Sequence, residues 1–158
     1  MRELILLRHA HAEPAAPGQA DADRALSLRG QAEAEAAARW LKSEGLLPAR
    51  VLCSPARRTR ETLARVLEVL GYSDVRYEPR IYDAVPGTLM AVLDEHVDVD
   101  RVLMVGHNPG FEQTAALLHS GQSGEFRGMP TGGIAVLKIP PEGTLEPGVG
   151  TLMRFWWP

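Results

Sequence analysis

Short apolar runs that stop abruptly at polar residues, with helical patterns between them, constrain this chain most. LILL at 4–7, RVLC at 50–53 and RVLMV at 101–105 are each too short for a buried helix and too apolar for a loop. Such runs read as strands buried on both faces. The segments between them show apolar residues at helical spacing. Strand–helix alternation of this kind builds a parallel sheet covered on both sides. The predicted fold is therefore α/β, a three-layer α/β/α sandwich.

The boundaries follow from local signals. A first strand covers 3–8, and a loop rich in Pro, Ala, Gly and Asp covers 12–26. Ser27 is set to cap a helix reaching about Glu44, with Ala32, Ala36, Ala37, Trp40 and Leu41 on one face and Gly45 as its stop. After the strand 50–53, Ser54 and Pro55 read as a cap and first-turn proline. The helix they open carries Leu63, Val66, Leu67 and Leu70 and ends at Gly71. VRYEP reads as an edge strand. Thr88 is the expected cap of a helix holding Leu89, Val92, Leu93 and His96. After 101–105, Asn108 reads as a cap with Pro109 at the first helical position. IAVLKI and TLMRFWW close the chain as two strands expected to pair antiparallel. Its 158 residues fit one domain, 1–158, with 45% hydrophobic and 23% charged residues.

Composition excludes several classes. A net charge of -3 offers no field to draw in nucleic acid or an anionic membrane. No apolar run has the length of a membrane span, and no signal-peptide pattern opens the chain. Cys53 is the sole cysteine, so no internal disulfide can form, and the expected location is the cytoplasm.

In open α/β sheets, ligands bind beyond the carboxyl ends of the strands. Arg8 and His9 lie past the first strand, Ser54, Arg57 and Arg58 past the second, and His107 past the fourth. Cations and imidazoles thus gather where a site is expected, close to helix starts that favour anions. A phosphoryl group is the simplest ligand for them. Guanidiniums neutralise its oxygens, and an imidazole can attack phosphorus. In an ideal strand Arg8 and His9 would face opposite ways, so the strand must end there for both to reach one phosphate.

Three rival chemistries fit less well. His9 and His11 could share a strand face as metal ligands, but no further ligands stand at metal spacing, so no metal is expected. Cys53 could be a phosphatase thiol, but the arginine such a loop requires is replaced by Thr59. There is no phosphate-binding loop of the G-x-x-x-x-G-K-[ST] type.

LRHA, DRALSLRG, SPARRTRET and VLMVGHNPG, in that order, resemble the histidine phosphatase superfamily, which includes cofactor-dependent phosphoglycerate mutases and acid phosphatases. The D-x-x-R-x-L-x-x-x-G-like stretch at Asp21–Gly30 and the PTGGIAVL segment look most like SixA-type phosphohistidine phosphatases. The resemblance implies a phosphoglycerate mutase-like fold and no cofactor. It makes His9 the nucleophile, Arg8 and Arg58 phosphate ligands, and His107 a second histidine that binds the phosphoryl oxygens. Ser54 and Thr62 match family positions and read as structural, Ser54 as a helix cap. Arg57 stands beside the matching arginine, and its reach to the pocket is left open.

Two positions depart from the family pattern. Ala10 replaces the glycine usual after the nucleophile. The carboxylic acid found after the third strand in many members has only Asp83, with Glu78 nearby, as a counterpart. The implied function is a metal-independent phosphatase acting on phosphohistidine of a protein, such as a histidine-phosphotransfer domain. The alternatives are a small-molecule phosphomonoesterase and a non-catalytic phosphate- or phosphoprotein-binding module. The implied partners are a phosphorylated protein or a small phosphate ester.

Overall fold

The computed structural model describes residues 2–71, 74–122 and 128–158. Six strands form one sheet: β1 (Arg2–Arg8), β2 (Arg50–Cys53), β3 (Asp74–Tyr77), β4 (Arg101–Gly106), β5 (Ile134–Ile139) and β6 (Thr151–Trp156). Their spatial order is β3-β2-β4-β1-β5-β6. β3, β2, β4 and β1 run parallel, β5 runs antiparallel to β1, and β6 antiparallel to β5. The mostly parallel sheet with antiparallel C-terminal strands is thus observed.

Period-two alternation explains the layers. Leu4 and Leu6 of β1 join a core with α3 (Pro86–Asp94) and α4 (Gly110–Ser120). Ile5 and Leu7 enter a second core with α1 (Leu28–Ser43) and α2 (Arg57–Leu70). A strand apolar on both faces therefore needs a helix pair on each side, which is the α/β/α sandwich. Among the described residues no helix is long and apolar enough to cross a membrane.

Five local expectations are corrected. The buried face of α1 is Ala34, Ala37, Ala38 and Leu41, while Ala32 is exposed and Ala36 and Trp40 are half-buried. So many alanines blur the contrast between faces. Ser54 does not cap α2: the helix starts at Arg57 after Ala56, because Ser54 N still donates to Val105 O and extends the sheet edge. Thr88 lies inside the first turn of α3, where Pro86 supplies the start. His96 falls beyond α3, its Nδ1 3.2 Å from Arg50 Nη1. Asn108 is not the cap of α4 nor Pro109 its first residue: the helix starts at Gly110 after Pro109, and Asn108 Oδ1 accepts from Glu112 N further in. Ser27 caps α1 as expected, its side chain accepting from Gly30 N.

Strand register brings the catalytic edge into line. Arg8 pairs with Gly106, and Cys53 with Val105. His9, Ser54 and His107 therefore leave the sheet at one level. PTGG lies beneath them: Gly132, at φ +72, donates its N–H to both Arg8 O and His9 O at 3.1 Å. Its left-handed backbone is where glycine fits without strain.

Candidate active site

β1 ends at Arg8, and the next two residues turn His9 toward His107, with ring centroids 5.3 Å apart. The strand end demanded by the Arg8–His9 pair is therefore observed. His9, Arg58 and His107 are only 8%, 5% and 6% exposed. His9 Nδ1–H donates to Ala10 O at 2.7 Å. A proton on Nδ1 leaves the lone pair of neutral His9 on Nε2, the atom that can act as nucleophile. Burial, followed by the charges of Arg58 and Arg8, lowers the His9 pKa to about 4, against the Ala10 bond that raises it. His107 is lowered to about 3, first by burial and then by His9 and Arg58. Both imidazoles are neutral near pH 7.

The two arginines are held alike. Arg8 Nη1 donates to Met129 O at 2.8 Å. Arg58 Nη1 donates to Asp21 O at 2.8 Å and Nη2 to Asp21 Oδ2 at 3.0 Å. In each guanidinium Nε is buried and, among the described residues, without a partner, as is His107 Nδ1. Ser54 Oγ lies 2.8 Å from His107 Nε2 and accepts from Ala56 N at 3.4 Å. The hydroxyl can donate to Nε2 in the tautomer that carries the proton of neutral His107 on Nδ1, and accept from Nε2–H in the other. In the Nδ1–H tautomer of His107, Arg8 Nε–H, Arg58 Nε–H and His107 Nδ1–H are three buried donors in the cluster with His9, a set matched to phosphoryl oxygens.

Ala10 is fully buried and does not have a positive φ, so the glycine usual at this place is not required for conformation. Its N–H donates to Thr62 Oγ1, which in turn donates to Arg58 O. Thr62 thereby couples the loop after His9 to α2. Arg57 is exposed and pairs with Glu61 at 3.3 Å, outside this cluster. Glu78 is engaged with Arg80 and is no candidate acid. Asp83 is exposed, at φ +54, and lines a recess of about 140 Å³ with Val85, His107, Asn108 and Gln113. Positive φ at a non-glycine residue is uncommon and frequent at functional sites.

The rival chemistries find no geometry. His11 Nδ1 is 2.7 Å from Ser27 Oγ, and no cluster of three potential metal ligands exists among the described residues. Burial pushes the Cys53 thiol up to about 12, far from a reactive thiolate.

Sequence reading missed two residues. Asp21 holds Arg58, and Tyr82 donates its hydroxyl to Asp21 Oδ2 while its ring stands edge-on to His107 at 5.3 Å. Asp21 is the first residue of the D-x-x-R-x-L-x-x-x-G-like stretch and was open to discovery there. Nothing in the sequence marks Tyr82.

Known proteins resemble this chain over most of its length. Residues 4–98 match the histidine phosphatase superfamily (branch 1). The uncharacterized protein Rv1276c of Mycobacterium tuberculosis is 38% identical over 161 residues, covering 94% of this chain and 98% of its own. A crystal structure of the proposed phosphohistidine phosphatase SixA from Agrobacterium tumefaciens superposes with a TM-score of 0.85 at 32% identity, covering 99% of this chain and 98% of that one. The protein histidine phosphatase SixA complexed with tungstate superposes at 0.84 and 28% identity, covering 98% and 96%.

Proposed function

Since the chain belongs to the histidine phosphatase superfamily and is a phosphatase of SixA type, we propose that it removes the phosphoryl group from phosphohistidine on a protein, through a phosphohistidine formed on its own His9. The observation that carries this reading is the set of three buried nitrogens without a partner among the described residues, Arg8 Nε, Arg58 Nε and His107 Nδ1, in the cluster with His9.

The chemistry proceeds in two displacements. The lone pair on His9 Nε2 attacks phosphorus. The substrate's P–N bond breaks, and its electron pair goes to the departing imidazole nitrogen, which takes a proton. Charge growing on the equatorial oxygens meets the three donors, already fixed in a site shielded from water. Water then attacks the phosphoryl group on His9, the new P–N bond breaks, and its pair returns to Nε2 as phosphate leaves. Arg8 and Arg58 supply positive charge, whereas neutral His107 supplies a hydrogen bond. No step calls for a metal.

The surroundings favour a protein side chain as substrate. The recess of about 140 Å³ beside His107 is open to solvent, so a protein side chain such as an imidazole can enter it. Asp83 on its wall is the proposed proton donor to the leaving group. An alkoxide needs such a donor, and losing it costs roughly 10²–10⁴-fold. Imidazole is a far better leaving group, so dependence on Asp83 is expected to be weak with phosphohistidine and strong with esters.

The test is phosphate release, with EDTA present, from a phosphohistidine-bearing protein and from a panel of small phosphate esters, using wild type, His9→Ala and Asp83→Asn. Preferential turnover of the protein, lost in His9→Ala and retained in Asp83→Asn, is expected. Faster ester turnover that collapses in Asp83→Asn would make the enzyme a small-molecule phosphomonoesterase.

A further inference from the structure

The stretch Asp21–Gly30 has a role in the site that its resemblance to a family pattern leaves unstated. Several of its residues have plain structural work. Leu26 packs with Ala10 and Ala34, and Leu26 N donates to Glu61 Oε1 at 2.8 Å. A Cβ on Gly30 would lie 1.9 Å from His11 O, so the chain after the nucleophile runs directly over it. Asp21 makes contacts of another kind. Arg58 reaches its carbonyl through Nη1 and its Oδ2 through Nη2, Tyr82 donates its hydroxyl to the same Oδ2, and Arg24 Nη1 donates to Oδ1 at 3.1 Å.

A guanidinium has five N–H groups in one plane. Asp21 takes one from each Nη, which is the end edge of the fork. The side edge, made by Nε–H and the remaining N–H beside it, stays unused, and Nε is buried without a partner among the described residues. Tyr82 fixes the carboxylate that fixes the arginine, and its ring lies 5.9 Å from the Arg58 guanidinium and edge-on to His107. The Asp21 carboxyl stays well below the usual range, chiefly through the Tyr82 hydroxyl and then through Arg24 and Arg58. It is an anion beside an anion site. On charge alone it should weaken phosphate binding.

We propose that Asp21 is a positioning residue for phosphoryl transfer. It occupies the end edge of Arg58 and so aims the side edge at the phosphoryl oxygens, with Tyr82 locking its orientation. The inference rests on the proposed function, because it assigns Arg58 to the transferred group. Rigid aim matters most at the transition state, where the oxygens spread into one plane. Loss of Asp21 should therefore lower kcat and leave KM nearly unchanged.

The experiment uses wild type, Asp21→Ala, Asp21→Asn and Tyr82→Phe. Each is assayed for kcat and KM on a phosphohistidine-bearing protein. Each is also titrated calorimetrically with vanadate, which adopts a five-coordinate geometry like the transition state, and with inorganic phosphate. Asp21→Ala is expected to lose about tenfold or more in kcat and a similar factor in vanadate affinity, with phosphate affinity unchanged or tighter. Asp21→Asn, which keeps an acceptor oxygen, should recover most of the loss. Tyr82→Phe removes one hydroxyl and should show a smaller loss of the same kind, and it decides the matter if Asp21→Ala does not fold. Unchanged kcat in both variants, or vanadate bound more tightly in step with phosphate, would overturn the inference. If wild type fails to turn over phosphohistidine, the proposed function falls, and the vanadate titrations still decide the role of Asp21.

Discussion

His9 owes its reactivity to the few atoms around it. Its pKa of about 4 keeps His9 neutral well into acid, as the proposed nucleophile must be. The histidine Cε1 proton resonance assigned to His9 should stay flat from pH 8 to about 5, while an ordinary imidazole would titrate near 6.5. The linkage sign follows. Neutral His9 and His107 are favoured in the fold, so as pH falls below about 6.5 the unfolded chain takes up protons first and stability declines until the folded imidazoles protonate near 4 and 3. Thermal midpoints should drop between pH 7 and 4.5, and less so in His107→Asn. A bound oxyanion reverses the pull and should bring proton uptake. Arg58→Lys retains the charge but not the fork, so kcat/KM should fall roughly 10²-fold. Arg8, His9, Arg58 and His107 were legible because each follows a recognisable strand. The Ser54–His107 and Tyr82–Asp21 contacts were not, since they join segments distant in sequence with no periodic trace.

Elements were read best where a single residue decides them. Ser27 caps α1 and Gly71 ends α2 because a side-chain acceptor and a left-handed terminus are local matters. The start of α2 was misread because Ser54 has two local options, capping a helix or prolonging a strand, and the sheet wins. The β1–α1 junction depends on one glycine. Gly30→Ala places a methyl group into the His11 carbonyl, a backbone neighbour that cannot swing aside. Urea unfolding should show a loss of roughly 3 kcal/mol. At the next residue after the nucleophile the outcome is the opposite of what a required glycine would give. Ala10→Gly should destabilise by about 1 kcal/mol, through lost burial and added chain entropy, because Ala10 has no positive φ to relieve.

The whole molecule sets its site by topology. Doubly buried strands demand helices on both faces, parallel order puts their carboxyl ends on one edge, and that edge collects Arg8, His9, Ser54, Arg58 and His107. This much was legible in the order of short apolar runs. The strand order and the return of PTGG beneath His9 were not, because pairing between distant segments has no local signature. The proposed steps use no metal, so turnover should be indifferent to chelation, and EDTA should leave it unchanged. The most direct test of the central claim is to trap the intermediate. A phosphohistidine-bearing protein labelled with radioactive phosphate is mixed with enzyme and quenched in alkali within milliseconds. The account predicts an alkali-stable, acid-labile label on the wild-type chain, mapping to the peptide containing His9 and missing in His9→Ala. Label on another residue, or turnover with His9 replaced, would contradict it.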